Sequence, residues 1–374
     1  MISPLRLLAA AAIFCCATPI PAAGQSSGIL LGVRLRGVDE AGGASRYETL
    51  WIVRSQDRPL RARLPDLLVP RSSGFWRVGI AGTCSDGPNG EWRIDRLWSV
   101  KANVRPVVRD GCPTTSARVL GWRGIVLDSA DEAKGDSLEV VCAVEHTEIL
   151  FLTGEHIGVR RTTSQTEECE PRGGRYDIVP AVTKWGSDSS LALARVAGAG
   201  ADSAYVRAAR AAIASGPVDC EPFVTAERGN DTAEMMDSWY VARDRGRWSA
   251  FAYDHIYGSE CDLDGGIDLR LPVSFTGHDG LRPSWDVLSR SVPGLIDAFS
   301  SPSGDLVVAI VPDSLLAFES DGARLGARLL AIPLPHERIV MAEWAVGAHV
   351  TRWDLMIGRL RASLRSARVL SPSR

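Results

Sequence analysis

The segment Ser301-Pro-Ser-Gly-Asp305-Leu-Val-Val-Ala-Ile-Val311-Pro-Asp-Ser-Leu315-Leu-Ala-Phe-Glu-Ser320-Asp-Gly-Ala-Arg-Leu325-Gly decides how this 374-residue chain is read. Short apolar runs are cut at Ser301 to Asp305, at Pro312-Asp313 and at Asp321-Gly322 by residues that favour turns. Runs of this length between such punctuation read as strands. The pattern predicts an antiparallel meander of Leu306 to Val311, Leu315 to Glu319 and a strand near Leu325 to Ile332, with Asp321-Gly322 at a hairpin tip.

The same rhythm extends outward through the chain. Strands are expected at Leu30 to Arg36, Tyr47 to Arg54, Phe75 to Ile80, Trp92 to Val100, Val119 to Leu127, Leu138 to Val144 and Glu148 to Leu152. Further ones are expected at Ile157 to Thr162, Tyr176 to Val182, Trp239 to Arg243, Trp248 to Tyr253, Ile267 to Val273 and Arg338 to Ala345. Leu50 to Arg54 with Leu60 to Leu64, and Trp239 to Arg243 with Arg247 to Phe251, read as hairpins. Two segments read as helices. Asp202 and Ser203 cap an Ala- and Arg-rich run to Ser215, stopped by Gly216-Pro217, and Thr351 with Asp354 resembles a capping box opening a helix over 350–365.

The stretch from Ser301 to Ala345, with its Pro-x-Gly turn, two strands, Asp-Gly tip and third strand, resembles one blade of a β-propeller built from NHL-like or lactonase-like repeats. That resemblance covers about an eighth of the chain, and it implies at least four sheets arranged radially about one axis. The expected fold is mainly β, with propeller-like antiparallel meanders and a few short helices. A β-sandwich or a two-domain β meander is the alternative. The domain plan is a signal peptide over 1–24 and one large β domain over 25–374, with helices near 202–215 and 350–365.

Arg6, the apolar run Leu7 to Ala17 and the small residues Ala22, Ala23 and Gly24 read as a secretory signal, so the mature protein is expected to be secreted or periplasmic. Cys15 and Cys16 fall inside that signal. Six cysteines follow it: Cys84, Cys112, Cys142, Cys169, Cys220 and Cys261. An even number in an oxidising compartment points to disulfides, and their wide spacing disfavours zinc. Six cysteines allow about 15 connectivities. Sequential pairing, Cys84 with Cys112, Cys142 with Cys169 and Cys220 with Cys261, is the arrangement that closes local loops.

Hydrophobic content of 45% and charge of 23% are those of a globular chain. Arginine far outnumbers lysine, which occurs only at Lys101, Lys134 and Lys184, yet the net charge of −3 argues against nucleic acid as a partner. An arginine-favouring codon usage accounts for the skew. Tryptophans adjoining arginines, as in Trp76-Arg77 and Arg247-Trp248, are expected to point inward while their neighbours point outward. The terminal helix carries Arg352, Arg359, Arg361, Arg365 and Arg368, and its apolar stripe is expected to cover core rather than lie on a membrane.

Gly135-Asp136-Ser137-Leu138 spells the signature of the GDSL esterases, but no Asp-x-x-His accompanies it, so Ser137 reads as a turn residue. Asp262, Asp264 and Asp268 crowd the segment around Cys261 and are the candidate calcium ligands, against the plainer reading of a solvated hairpin turn. His146 and His156 could approach across a hairpin; Asn230-Asp231-Thr232 matches a glycosylation sequon. No catalytic residue is assigned and no cofactor is required. The expected function is a binding or structural module outside the cytoplasm, for a protein or carbohydrate ligand, and the alternative is a lactonase-like secreted hydrolase with a divalent cation in a propeller channel.

Overall fold

The computed structural model describes residues 26–35, 45–87, 90–104, 108–109, 112–113, 118–119, 142–166, 175–185, 190–215, 239–255 and 262–369. These residues form a mainly β protein. The chain opens with β1 (Ser27–Leu35), β2 (Tyr47–Val53) and β3 (Leu60–Pro65), three strands of one antiparallel sheet. There follow β4 (Leu67–Arg71), β5 (Gly74–Gly87), β6 (Gly90–Lys101), the two-residue strands β7 (Val108–Arg109), β8 (Cys112–Pro113) and β9 (Arg118–Val119), then β10 (Cys142–Leu152), β11 (His156–Thr166) and β12 (Arg175–Lys184). Apart from the β7–β8 pair, these make a seven-stranded sheet in the order β12-β11-β10-β6-β5-β4, with β9 beside β6. Its pairings are antiparallel except one. Strand β10 runs parallel to β6 through Val144↔Arg93 and Glu145↔Ile94.

Helices α1 (Leu193–Ala197) and α2 (Ala201–Ser215) lead to a three-stranded sheet of β13 (Trp239–Asp244), β14 (Arg247–His255) and β15 (Asp262–Gly266). Short helices α3 (Val273–Thr276) and α4 (Trp285–Ser291) then precede the decisive segment. It folds as β16 (Asp297–Ser300), β17 (Leu306–Val311), β18 (Ser314–Ser320) and β19 (Leu325–Pro333), an antiparallel meander in chain order. The last strand, β20 (His336–Val346), returns to pair with β1, and α5 (Ala348–Val369) follows.

The meander forms because its turns are built into the sequence. Ser301 Oγ accepts the backbone N–H groups of Asp305 and Leu306 at 3.0 and 3.1 Å and donates to Asp305 Oδ1 at 2.7 Å, closing the first turn. At the tip, Asp321 Oδ1 accepts from Ala323 and Arg324 N–H at 2.8 and 2.7 Å, while Gly322 takes a φ of 84° that a side chain would resist. The β13–β14 hairpin turns on Arg245 and Gly246, both at positive φ as a two-residue hairpin loop prefers.

A shared core ties these sheets together. Ile29 and Leu31 of β1, Phe151 of β10, Tyr205 of α2, Trp239 of β13, Val308 of β17 and Ala342 of β20 belong to one buried cluster. Large apolar side chains buried to this degree contribute roughly 1.5–3 kcal/mol each. On α5, Val350, Ile357 and Leu360 are buried and Trp353 packs on Trp51 and Phe75 at 5.7 and 5.3 Å, so its apolar stripe does cover the core.

Several expectations change. The β16–β19 meander has the strand order of a blade, but the sheets among the described residues form no closed or propeller-like array. Ile267 to Val273 is not a strand: only Ile267 N reaches a neighbouring strand, bonding Ala250 O at 2.8 Å, and Pro272 caps α3 instead. The acidic segment is not a hairpin turn, since Asp262 and Asp264 stand in β15 opposite His255 and Tyr253. Glu148 to Leu152 is not a separate strand but the end of β10. Helix α5 begins before Thr351, which removes the capping box; Asp354 Oδ1 accepts Trp51 Nε1–H at 3.0 Å. Arg77 is buried beside Asp66 while Trp76 is only half-buried, the reverse of the expected alternation. Gly216-Pro217, Asn230 and most of Val119 to Leu127 lie outside the described residues.

Candidate functional site

The single parallel step in the large sheet concentrates polar groups. Because β6 and β10 pair through only two residues there, the N–H groups of Thr147 and Ile149 look elsewhere for acceptors. Asp95 Oδ2 takes Thr147 N–H at 3.2 Å, Tyr47 Oη takes Ile149 N–H at 2.7 Å, and Thr147 Oγ1 donates to the Asp95 carbonyl at 3.2 Å. Residues 95 and 146 are thereby set side by side.

His146 Nδ1 lies 2.8 Å from Asp95 Oδ2, and its Nε2 lies 3.7 Å from Glu148 Oε1 and 3.4 Å from Ser45 Oγ. Glu148 is in turn held by Arg34 at 2.6 Å and by Arg160, whose Nε is at 2.9 Å and Nη2 at 2.5 Å. The hydrogen bond to Asp95, followed by the nearby Glu148 carboxylate, outweighs burial and pushes the His146 imidazole up to about 9. Burial opposes ionisation of Glu148, but the nearby His146 and the charges of Arg160 and Arg34 hold its carboxyl down at about 2. Burial drives the Tyr47 phenol above its ordinary range. At neutral pH His146 is therefore an imidazolium donating from both ring nitrogens.

Ser45 and Tyr47 also line a cleft of about 650 Å³. Its walls carry Arg46, Arg63, Arg77, Arg361 and Arg365 against the acids Glu48 and Asp66. Arg77 pairs with Asp66, Arg63 lies 3.3 Å from Glu48, and Arg361 donates to the Arg61 carbonyl at 2.7 Å. Arg46 and Arg365 have no acidic partner among the described residues. Two arginines of α5 thus overlook this cleft instead of serving only as a solvated face.

The sequence had singled out other residues. Cys84 lies on β5, Cys112 on the neighbouring β8 and Cys142 on β10, opposite Thr166. Cys169, Cys220, Cys261 and Ser137 lie outside the described residues. Asp262 and Asp264 occupy alternate positions of β15, and Asp268 is exposed beyond its end. No group of three metal-ligating side chains occurs among the described residues. His146 and His156 do not meet, because antiparallel register sets His146 opposite Thr162 and His156 opposite Lys184. Ser45, Asp95 and Glu148 were missed. Each stands in unremarkable local sequence, and the one available signal was the alternation His146-x-Glu148 on a strand. No family model matches the chain, and no curated protein or solved structure matches it.

Proposed function

We propose that the protein is a binding module acting outside the cytoplasm, and that its ligand is a small anionic molecule, an acidic sugar being the class that fits best. The observation that carries this is the excess of arginine in the cleft, five guanidiniums to two carboxylates. Guanidinium forks match carboxylate and phosphate oxygens, and a concave site of this size suits a small ligand better than a flat protein surface. Arg46 and Arg365 are the groups left over for it.

Glucuronate is expected to raise the thermal midpoint while uncharged glucose does not, because a ligand that binds only the folded state stabilises it. The rise should weaken with added salt and disappear in an Arg46→Ala/Arg365→Ala variant. Absence of any shift with glucuronate and with inorganic phosphate would remove this reading.

The extracytoplasmic part rests on the N-terminal apolar run and the six later cysteines. Sequential pairing makes Cys84 with Cys112 the first bridge to look for. Peptide mapping without reductant is expected to recover that pair linked; free thiols throughout would count against an oxidising compartment.

A further inference from the structure

We propose that Ser45, His146 and Asp95 form a serine acyl-hydrolase centre opening on the arginine-lined cleft, acting on esters or thioesters of carboxylated or phosphorylated acids. The charge preference rests on the anionic-ligand reading; the chemistry does not. Three groups stand in the order such a centre requires: a hydroxyl facing one ring nitrogen of a histidine, and a carboxylate holding the other. Ser45 Oγ is 3.4 Å from His146 Nε2, a spacing usual before substrate binds, and Asp95 Oδ2 is 2.8 Å from Nδ1. Asp95 is itself fixed by Thr147 N–H, so it orients the ring. Ser45 and Arg46 both line the cleft, so a guanidinium shares the wall with the hydroxyl, a charge that favours an acyl oxygen becoming negative.

The steps balance. Ser45 Oγ bonds to the acyl carbon as its proton passes to His146 Nε2; the carbon–oxygen or carbon–sulfur bond then breaks and the alcohol or thiol leaves with that proton. Water attacks the resulting Ser45 ester, gives its proton to Nε2, and the acid departs as Ser45 recovers its hydrogen. Nothing beyond water is consumed.

Asp95 at Nδ1, and then Glu148 3.7 Å from Nε2, keep a proton on the ring at neutral pH, so His146 acts as a base only in its neutral form. The reaction rate must therefore climb with pH towards about 9. Glu148→Gln removes one of the two carboxylates and should move that rise to lower pH by about one unit.

The test is labelling of the full-length protein with a fluorophosphonate probe across about pH 6 to pH 10, with the modified peptide identified by mass. Expected are modification at Ser45 that increases with pH, its loss in Ser45→Ala, and a decrease of about tenfold or more in His146→Gln. Ser45→Ala removes one hydroxyl, and an unchanged circular dichroism spectrum certifies its fold. No modification of Ser45 at any pH overturns the proposal, as does labelling that is independent of pH. Should Glu148→Gln not fold, the pH dependence in the unsubstituted protein still decides. Labelling of Ser45 in a protein that binds neither glucuronate nor phosphate would keep the centre and discard its anionic substrate class.

Discussion

Replacement of Arg243 by Met is expected to cost ~3–5 kcal/mol, the usual penalty for stripping one partner from a buried ion cluster. Arg243 is 6% exposed, and from β13 its Nε reaches Asp297 Oδ2 at 2.9 Å, its Nη1 reaches Asp279 Oδ1 at 2.6 Å and its Nη2 donates to the Ala298 carbonyl at 2.8 Å. The guanidinium also lies 4.1 Å from the Phe299 ring centre and 5.0 Å from that of Trp248. It thus clamps the three-stranded sheet to the β16–β19 meander. Without it, two carboxylates stay behind in an apolar setting. Burial already raises Asp279 against the pull of Arg243, so in the variant Asp279 should take up a proton and the deficit should shrink in mild acid. Urea denaturation at neutral and acid pH measures both effects. A neutral-pH loss below about 1 kcal/mol would show the clamp to be dispensable.

Stability is also expected to fall as pH rises from slightly acid to alkaline values, in two stages. Burial, opposed by the Gly154 N–H at 3.2 Å, pushes the Glu343 carboxyl up from its ordinary 4.5 to about 7. A raised folded value means that the stabilisation is complete below 4.5 and is lost as pH passes through about 7. His146, raised from 6.5 to about 9, contributes fully below 6.5 and loses its contribution as pH passes through about 9. Each stage is on the order of 2–3 kcal/mol. Glu148 acts at the opposite end, its contribution vanishing only as pH falls through about 2. Denaturation midpoints measured across this range should therefore decline from about pH 5 to about pH 9, and Glu343→Gln should abolish the first stage and stabilise the protein at pH 8. A flat profile between about pH 5 and pH 9 would contradict both assignments.

How far the sequence revealed all this depended on the range of the interactions involved. The β17–β19 meander was readable because Ser301, Asp313, Asp321 and Gly322 each fix a turn within a few residues of themselves. The segment Ile267 to Val273 misled because Ile267 and Leu271 alternate inward as in a strand, yet Leu269 N–H turns back to the Ile267 carbonyl at 2.7 Å and no ladder partner among the described residues follows Ile267. Buried Arg34, Arg77 and Arg243 defied alternation because each meets an acid: Arg34 and Arg243 reach Glu148 and Asp297 on distant elements, and Arg77 reaches Asp66 across the β4–β5 hairpin. The Ser45, Asp95 and His146 grouping was hidden for the same reason. It exists only where two strands meet in parallel and a third segment crosses them, and no local spacing encodes that meeting.

The β1–β20 pairing has a consequence for timing. A chain released from the ribosome from its first residue onward offers β1 its neighbour β2 almost at once, but β20 only about 300 residues later. Until then β1 presents one unbonded edge, and the buried row of Ile29, Leu31 and Val33 lacks part of its cover. Contacts so distant in sequence are slow to find, so completion should wait on the synthesis of β20 and then take milliseconds to seconds. A nascent chain of this topology stays open and threadable while everything between β1 and β20 is made. It closes only when β20 arrives.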